Sequence, residues 1–322
     1  MERISPRALR KGDTIALVAP ASPVKRERIE LAISRFEALG FRVKLYGDLY
    51  RKHGYLAGDD TTRAEELMAP FADPEVTAVF PARGGTGVTR LLDLLDYDTI
   101  RENPKIVAGF SDITALHLAL QSQAGLVTFH SPHPSDGIGA ADGLNDLSAR
   151  TYWRALLEDE YRDESGYEVP LTDQERDSIV TLFRGTARGR IVGGNLALIA
   201  AVMGTPYEIA TAGNILLLED INEQPYRIDR FLSQLKLAGK LDEAAGVLLG
   251  QFTKCDPPQG DASLTLDEIF AGYLGPLGIP VLQNFPIGHS RDNATLPLNV
   301  EVELDADNCR VKILENPVVI TA

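Results

Sequence analysis

Short apolar runs alternate with helical patterns along the first half of the chain. Residues 14–18 read as a strand, and residues 26–39 as an amphipathic helix that Gly40 stops. Residues 41–46 form a second expected strand, 62–71 a helix, and 76–81 a strand that runs into a glycine loop. Residues 88–95 are expected as another helix, 106–110 as another strand, and a helix runs from Asp112 to about Gln121. Strands that alternate with helices in this way predict a parallel sheet covered on both faces.

The pattern stops between Ser131 and Asn145, where Pro132, Pro134, Gly137, Gly139 and Gly143 crowd together and predict a loop. A helix over 147–157 follows, then a polar stretch up to Ser178. Beyond it, strands are expected at 190–192, 215–218, 247–249 and 280–284, and helices near 196–203, 228–237 and 266–274. Residues 300–304 and 310–314, joined by Asp305-Ala306-Asp307-Asn308, read as a closing hairpin. The expected organisation is an N-terminal α/β domain over 1–140 that carries a nucleophile, a linker region over 141–184, and a C-terminal domain over 185–322 that carries an acid and a histidine.

Composition narrows the class. The chain has 322 residues, 44% hydrophobic and 24% charged, the usual balance for a soluble globular protein. A formal net charge of −14 argues against a nucleic-acid partner, because binding phosphates needs clustered Lys and Arg. No run approaches the ~20 apolar residues that cross a bilayer. No apolar stretch follows the charges of Met1-Glu2-Arg3, so no secretory signal is expected and a cytoplasmic location is. Cys255 and Cys309 lie far apart and read as two reduced thiols.

Open α/β sheets place their sites at the carboxyl ends of strands. Three reactive side chains stand just after apolar strands: Ser111 after residues 106–110, Glu219 after 215–218, and His289 a few residues past 280–284. Ser111 resembles a nucleophile elbow, with small Gly109 two residues before it, although the second glycine of the usual pattern is missing. On that feature alone, a serine that merely caps a helix is the commoner reading. Taken singly, His289 reads as a satisfied loop histidine and Glu219 as a helix cap. Asp220 and Glu223 stand close enough to compete with Glu219. His117 reads as core packing. His130 and His133 have a spacing that could hold a metal, but no acidic companion set supports one, and neither metal nor cofactor is expected.

Arg83-Gly84-Gly85-Thr86-Gly87 follows a strand, and its backbone N–H groups could cradle an anion. It lacks the Lys-Ser or Lys-Thr of a phosphate loop and the third glycine of a dinucleotide fingerprint. A perch for a carboxylate beside Arg83, or an oxyanion donor, fits better.

Together these segments resemble the LD-carboxypeptidase family of serine peptidases, which includes muramoyltetrapeptide carboxypeptidases and microcin C immunity peptidases. The resemblance rests on Arg83-Gly84-Gly85-Thr86-Gly87, Gly109-Phe110-Ser111-Asp112-Ile113-Thr114, Gly193-Gly194-Asn195-Leu196, Leu218-Glu219-Asp220 with Pro225-Tyr226-Arg227-Ile228-Asp229-Arg230, and Pro286-Ile287-Gly288-His289 with Leu296-Pro297. It implies an α/β fold, with an N-terminal parallel-sheet domain of flavodoxin or amidotransferase type and a smaller C-terminal α/β domain. It further implies a Ser-Glu-His triad of Ser111, Glu219 and His289, with oxyanion or substrate contacts from Gly84, Gly85, Asp112 and Arg83. Two departures are visible: Phe110 stands where tyrosine is commoner, and Asn299 where a glycine is usual. The activity implied is release of terminal D-alanine from cytoplasmic murein tetrapeptides, a peptide substrate with no nucleic-acid or membrane partner and with a homodimer as an allowed assembly. An aminoacyl-nucleotide of the microcin C type is the alternative substrate, for which Trp153 is a candidate base-stacking ring. A non-catalytic module that holds a small anion is the alternative of a different class.

Overall fold

Every residue of the first apolar run, Thr14–Val18, is buried, and the run forms strand β1 in a computed structural model that describes residues 2–161, 166–257, 260 and 262–320. Helix α1, Arg26–Ala38, turns Ile29, Ala32 and Phe36 inward, the i, i+3, i+7 stripe of a helix laid on a sheet. Strand β2 (Arg42–Leu45) precedes α2 (Asp60–Ala72), whose start is capped by the Asp59 carboxylate accepting from the Thr62 N–H at 2.9 Å. Then come β3 (Val76–Pro81), α3 (Tyr97–Glu102), β4 (Ile106–Gly109), α4 (Ile113–Ala119), β5 (Thr128–His130) and α5 (Asp146–Leu156).

The second half supplies β6 (Tyr167–Glu168), α6 (Asp173–Arg176), β7 (Val180–Phe183), β8 (Thr186–Asn195) and α7 (Leu196–Ala201). Next are β9 (Ile215–Ile221), α8 (Pro225–Leu237), β10 (Gly246–Thr253), α9 (Leu266–Leu274) and β11 (Val281–Gln283). The last three are β12 (Leu296–Leu298), β13 (Glu301–Asp305) and β14 (Arg310–Ile313).

The chain forms two compact units, Met1–Glu164 with Ala294–Asn299 and Asn316–Ala322, and Ser165–Asn293 with Val300–Glu315. The first holds a six-stranded sheet in the order β12-β5-β4-β3-β1-β2. Its five strands β1 to β5 are parallel, in flavodoxin-type order, and β12 adds antiparallel at one edge. An edge tolerates Pro297, which has no N–H to give a ladder. Asn299, just past that strand, takes φ 65°, which explains why a glycine would serve there and why asparagine can replace it.

The second unit holds an eight-stranded sheet, β6-β14-β13-β8-β9-β10-β11-β7, with β8 to β11 parallel and antiparallel strands on either side. The expected closing hairpin is β13 and β14, registered from Val302↔Ile313 to Asp305↔Arg310.

Two expectations change. The helix expected over 88–95 is instead two short 3₁₀ turns, Val88–Arg90 and Leu92–Leu94. Val88, Leu91, Leu92 and Leu95 are buried at the i, i+3, i+4, i+7 spacing of one helix face, but Gly87, at φ 124°, starts the segment and Leu95 is already extended, so no continuous helix forms between them. The loop expected over 131–145 contains a buried π turn, Pro134–Ile138. Residues 162–165 of the polar stretch lie outside the described residues.

Candidate active site

In the flavodoxin order the chain reverses direction across the sheet between β1 and β3, and ligands of such sheets bind outside the carboxyl ends there. Ser22 follows β1, the glycine loop follows β3, and Ser111 follows the neighbouring strand β4. Ser111 has φ 62°, a left-handed backbone that a non-glycine residue adopts at a cost of ~1–3 kcal/mol. A serine that only caps a helix sits in extended backbone and accepts from an N–H two or three residues on. The residue at the cap position of α4 is Asp112, so the plain capping reading of Ser111 fails. Its conformation is that of a strand–turn–helix elbow, which lifts a hydroxyl off the sheet.

Gly84 lies against this elbow. A Cβ on Gly84 would stand 3.0 Å from Ser111 Cβ, 3.1 Å from His133 Cε1 and 3.3 Å from the Asp112 nitrogen. Gly85 has φ 115°, and a Cβ there would collide with the hydroxyl of Ser22. That hydroxyl accepts from the Thr86 N–H at 3.2 Å. Asp112 is buried, and its carboxylate accepts from the Val88 N–H at 2.9 Å, tying the elbow to the end of the glycine loop. Burial raises its pKa, opposed by the Val88 bond and the charge of Arg63. Arg83 is half-buried, and its guanidinium makes a long contact, 3.4 Å, to the Pro23 carbonyl.

Sequence reasoning missed Arg63. This arginine is fully buried in α2 and donates to the carbonyls of Gly58 (3.2 Å), Gly87 (3.1 Å) and Pro20, with Asp60 as its ion-pair partner at 2.6 Å. It therefore ties the loops that follow β1 and β3 to the segment that leads into α2. The available signal was a charge at 63 on the same helix face as Leu67 and Pro70, both buried.

In the second unit, Glu219 lies within β9 at the last residue paired with β8, and is fully buried. His289 Nδ1 lies 2.6 Å from Glu219 Oε2, so the ring donates to the carboxylate through Nδ1. Gly288, at φ 128°, makes the approach feasible, because a Cβ there would stand 2.9 Å from Glu219 Oε2. The neighbouring loop is held by the Gly288 N–H donating to Asn293 Oδ1 at 3.1 Å.

The two competing carboxylates have other partners. Asp220 accepts from Asn195 Nδ2 (3.0 Å), the Ile221 N–H (2.8 Å) and the Ala197 N–H (2.9 Å), tying β9 to the start of α7. Burial, then the charge of Glu219, pushes Asp220 up to about 7 despite those three donors. Glu223 pairs with Arg227, one turn along.

Other candidates fall elsewhere. Trp153 stacks on Phe41 at 5.8 Å, in a pocket lined by Leu9, Leu39 and Leu157. Leu9 precedes β1 and Leu39 precedes β2, so this pocket is at the amino ends of those strands, away from the elbow. Trp153 is therefore no base-stacking ring for a ligand at Ser111. Among the described residues, no group of three or more His, Cys, Asp and Glu side chains could hold a metal ion. Both cysteines are free, and burial pushes Cys255 up to about 12, the behaviour of an inert thiol.

Comparison with known proteins gives a consistent picture. The family models of the LD-carboxypeptidase N-terminal and C-terminal domains match residues 15–131 and 188–304. The chain is 41% identical over 300 residues to a probable murein peptide carboxypeptidase of Bacillus subtilis, covering 93% of this chain and 91% of that protein. It is 31% identical over 301 residues to the murein tetrapeptide carboxypeptidase of Pseudomonas aeruginosa, covering 92% and 94%. Among solved structures, a mutant of the microcin C7 self immunity protein MccF in complex with adenosine monophosphate superposes with a TM-score of 0.90 at 26% identity, covering 98% of this chain and all of that one.

Proposed function

The chain belongs to the LD-carboxypeptidase family, and from that premise we propose that it releases the terminal D-alanine of a murein tetrapeptide by serine catalysis. The observation that carries the catalytic part is the left-handed backbone of Ser111 at the end of β4, which a capping serine does not need. In this reading Ser111 attacks the carbonyl of the L,D amide and gives its proton to His289. Glu219 holds the imidazole in the Nδ1–H tautomer, leaving Nε2 to accept that proton, and stabilises the imidazolium. The N–H groups of Gly85 and Asp112 receive the developing oxyanion, and the imidazolium then protonates the departing D-alanine amine. Water then attacks the acyl-enzyme and gives its proton to His289, which returns a proton to the Ser111 oxygen as the shortened peptide leaves as a carboxylic acid.

The free carboxylate of the substrate is read by Arg83 and the N–H group of Gly84, fixed donors of positive or partly positive charge. Murein fragments of this kind are recycled inside the cell, and we place the enzyme in the cytoplasm. Among the described residues, no helix is long and apolar enough to cross a membrane.

The likeness to MccF keeps an aminoacyl-nucleotide as the second substrate class. Incubating the protein separately with a murein tetrapeptide and an aminoacyl-nucleotide, with products identified by mass, tests the choice. Free D-alanine from the tetrapeptide is expected. Rapid nucleotide hydrolysis with no alanine released would move the protein to the immunity branch.

A further inference from the structure

Neither His117 nor His133 has a part in the chemistry above, yet both are buried beside the elbow. They meet the same peptide group. His117 Nε2 lies 2.8 Å from the carbonyl oxygen of Gly109, and the N–H of Phe110 points at His133 Nε2 at 3.2 Å. Those are the two ends of the single peptide unit that joins Gly109 to Phe110, one unit before the bond that links Phe110 to Ser111.

The sheet explains why this unit needs help. The registered pairs of β4 with β3 end at Val107, so β3 offers the Phe110 N–H no ladder partner. The opposite end of the unit still faces β5, where the Ser131 N–H donates to the Gly109 carbonyl at 3.1 Å. A buried N–H without an acceptor is costly, and a peptide free to rotate here would loosen Phe110 and, through it, the turn in which Ser111 holds φ 62°. Packing fixes the His133 ring in place. Its centroid lies 4.5 Å from that of Phe110, and its Cδ2 would stand 3.3 Å from a Cβ on Gly109.

We propose that His117 and His133 are positioning residues that clamp the Gly109–Phe110 peptide from its two ends, in opposite tautomers, and so hold Ser111 in its left-handed conformation. The proposal rests on the reading of Ser111 as nucleophile. A carbonyl can only accept, so His117 carries its proton on Nε2. An N–H can only donate, so His133 leaves Nε2 bare and, as a neutral ring, carries its proton on Nδ1. Burial of His117 pushes its pKa down to about 4, which keeps that ring neutral.

Two measurements test the clamp. Imidazole ¹⁵N spectra of the labelled full chain, assigned with His117→Gln and His133→Gln, should show the Nε2–H form for His117 and the Nδ1–H form for His133. Finding both rings in one tautomer, or a proton on Nε2 of His133, would overturn it. This arm needs no substrate, so it stands apart from failure of the carboxypeptidase reading. In turnover, His133→Phe keeps a ring but loses the acceptor, and should lower kcat by about 10- to 100-fold with little change in KM. His133→Gln, whose amide oxygen can accept near the Nε2 position, should recover to within about threefold of the parent. Equal kcat for the Phe and Gln variants, at similar melting temperature, would reduce His133 to packing. Should His133→Phe fail to fold, the tautomers of the parent decide.

Discussion

Glu219 Oε2 lies 2.6 Å from His289 Nδ1, with the carboxylate fully buried and the imidazole 12% exposed. A ring held this way presents its other nitrogen with a fixed proton inventory, as a serine base requires. Glu219→Gln should therefore lower kcat by ~10⁴ with a small effect on KM. Asp220→Asn leaves the His289 contact intact, disturbing only the Asn195 and α7 tie, and should cost less than about tenfold. Steady-state kinetics of both variants decide the acid; the reverse ranking would make Asp220 the partner of the histidine.

The close approach of the glycine loop to the elbow sets a steric test. Gly84→Ala places a methyl 3.0 Å from Ser111 Cβ and 3.3 Å from the Asp112 nitrogen, neither of which is the loose end of a flexible chain. We expect a stability loss of ~1–3 kcal/mol by chemical denaturation and a kcat loss of ~10²-fold, since a small displacement of the nucleophile suffices. A variant with full activity would mean that the loop has room to retreat and that the contact does not shape the site.

Arg83 is expected to select for a free C-terminal carboxylate. Losing a charge-assisted contact of this kind should raise KM for the tetrapeptide acid by about 10- to 100-fold in Arg83→Gln, while the corresponding amide changes little. Parallel KM measurements on the two substrates check it, and an equal effect on both would remove Arg83 from carboxylate recognition.

A pH effect on stability follows from His117. Its folded-state pKa is depressed to about 4 from an ordinary 6.5, by burial and against the bond to the Gly109 carbonyl. Between those values the unfolded chain binds the extra proton, so stability rises with pH there. The contribution is fully present above 6.5 and is lost as pH falls towards 4, a change on the order of 3 kcal/mol. The difference in unfolding free energy between the parent and His117→Gln should show this trend. A pH-independent difference would mean that His117 takes up a proton in the folded state as readily as in the unfolded one.

Much of the frame was legible because it rests on local patterns. The runs 14–18 and 76–81 are wholly buried, and their strands begin and end where the apolar residues do. Strand β5 and helix α3 escaped notice, since three strand residues and one turn and a half of helix carry too little periodicity to register. Leu296–Leu298 has no local feature that assigns it to the sheet of the first unit, because its partners at 128–130 lie far back in the chain. The candidate site was legible as residue types at strand ends, which singled out Ser111, Glu219 and His289 as candidates. What the pattern could not carry was conformation and partnership. The φ of Ser111, the choice of Glu219 over Asp220 by His289, and the meeting of His117 and His133 on one peptide are all set by tertiary packing.

Serine catalysis is tested most directly by the release of D-alanine from a murein tetrapeptide by the parent and by Ser111→Ala, measured side by side on protein shown by circular dichroism to be folded. Steady release by the parent is expected, with a rate at least ~10⁴-fold lower in the variant and the fold unchanged. A folded Ser111→Ala protein that kept a tenth of the parent rate would contradict the assignment of Ser111 as the nucleophile.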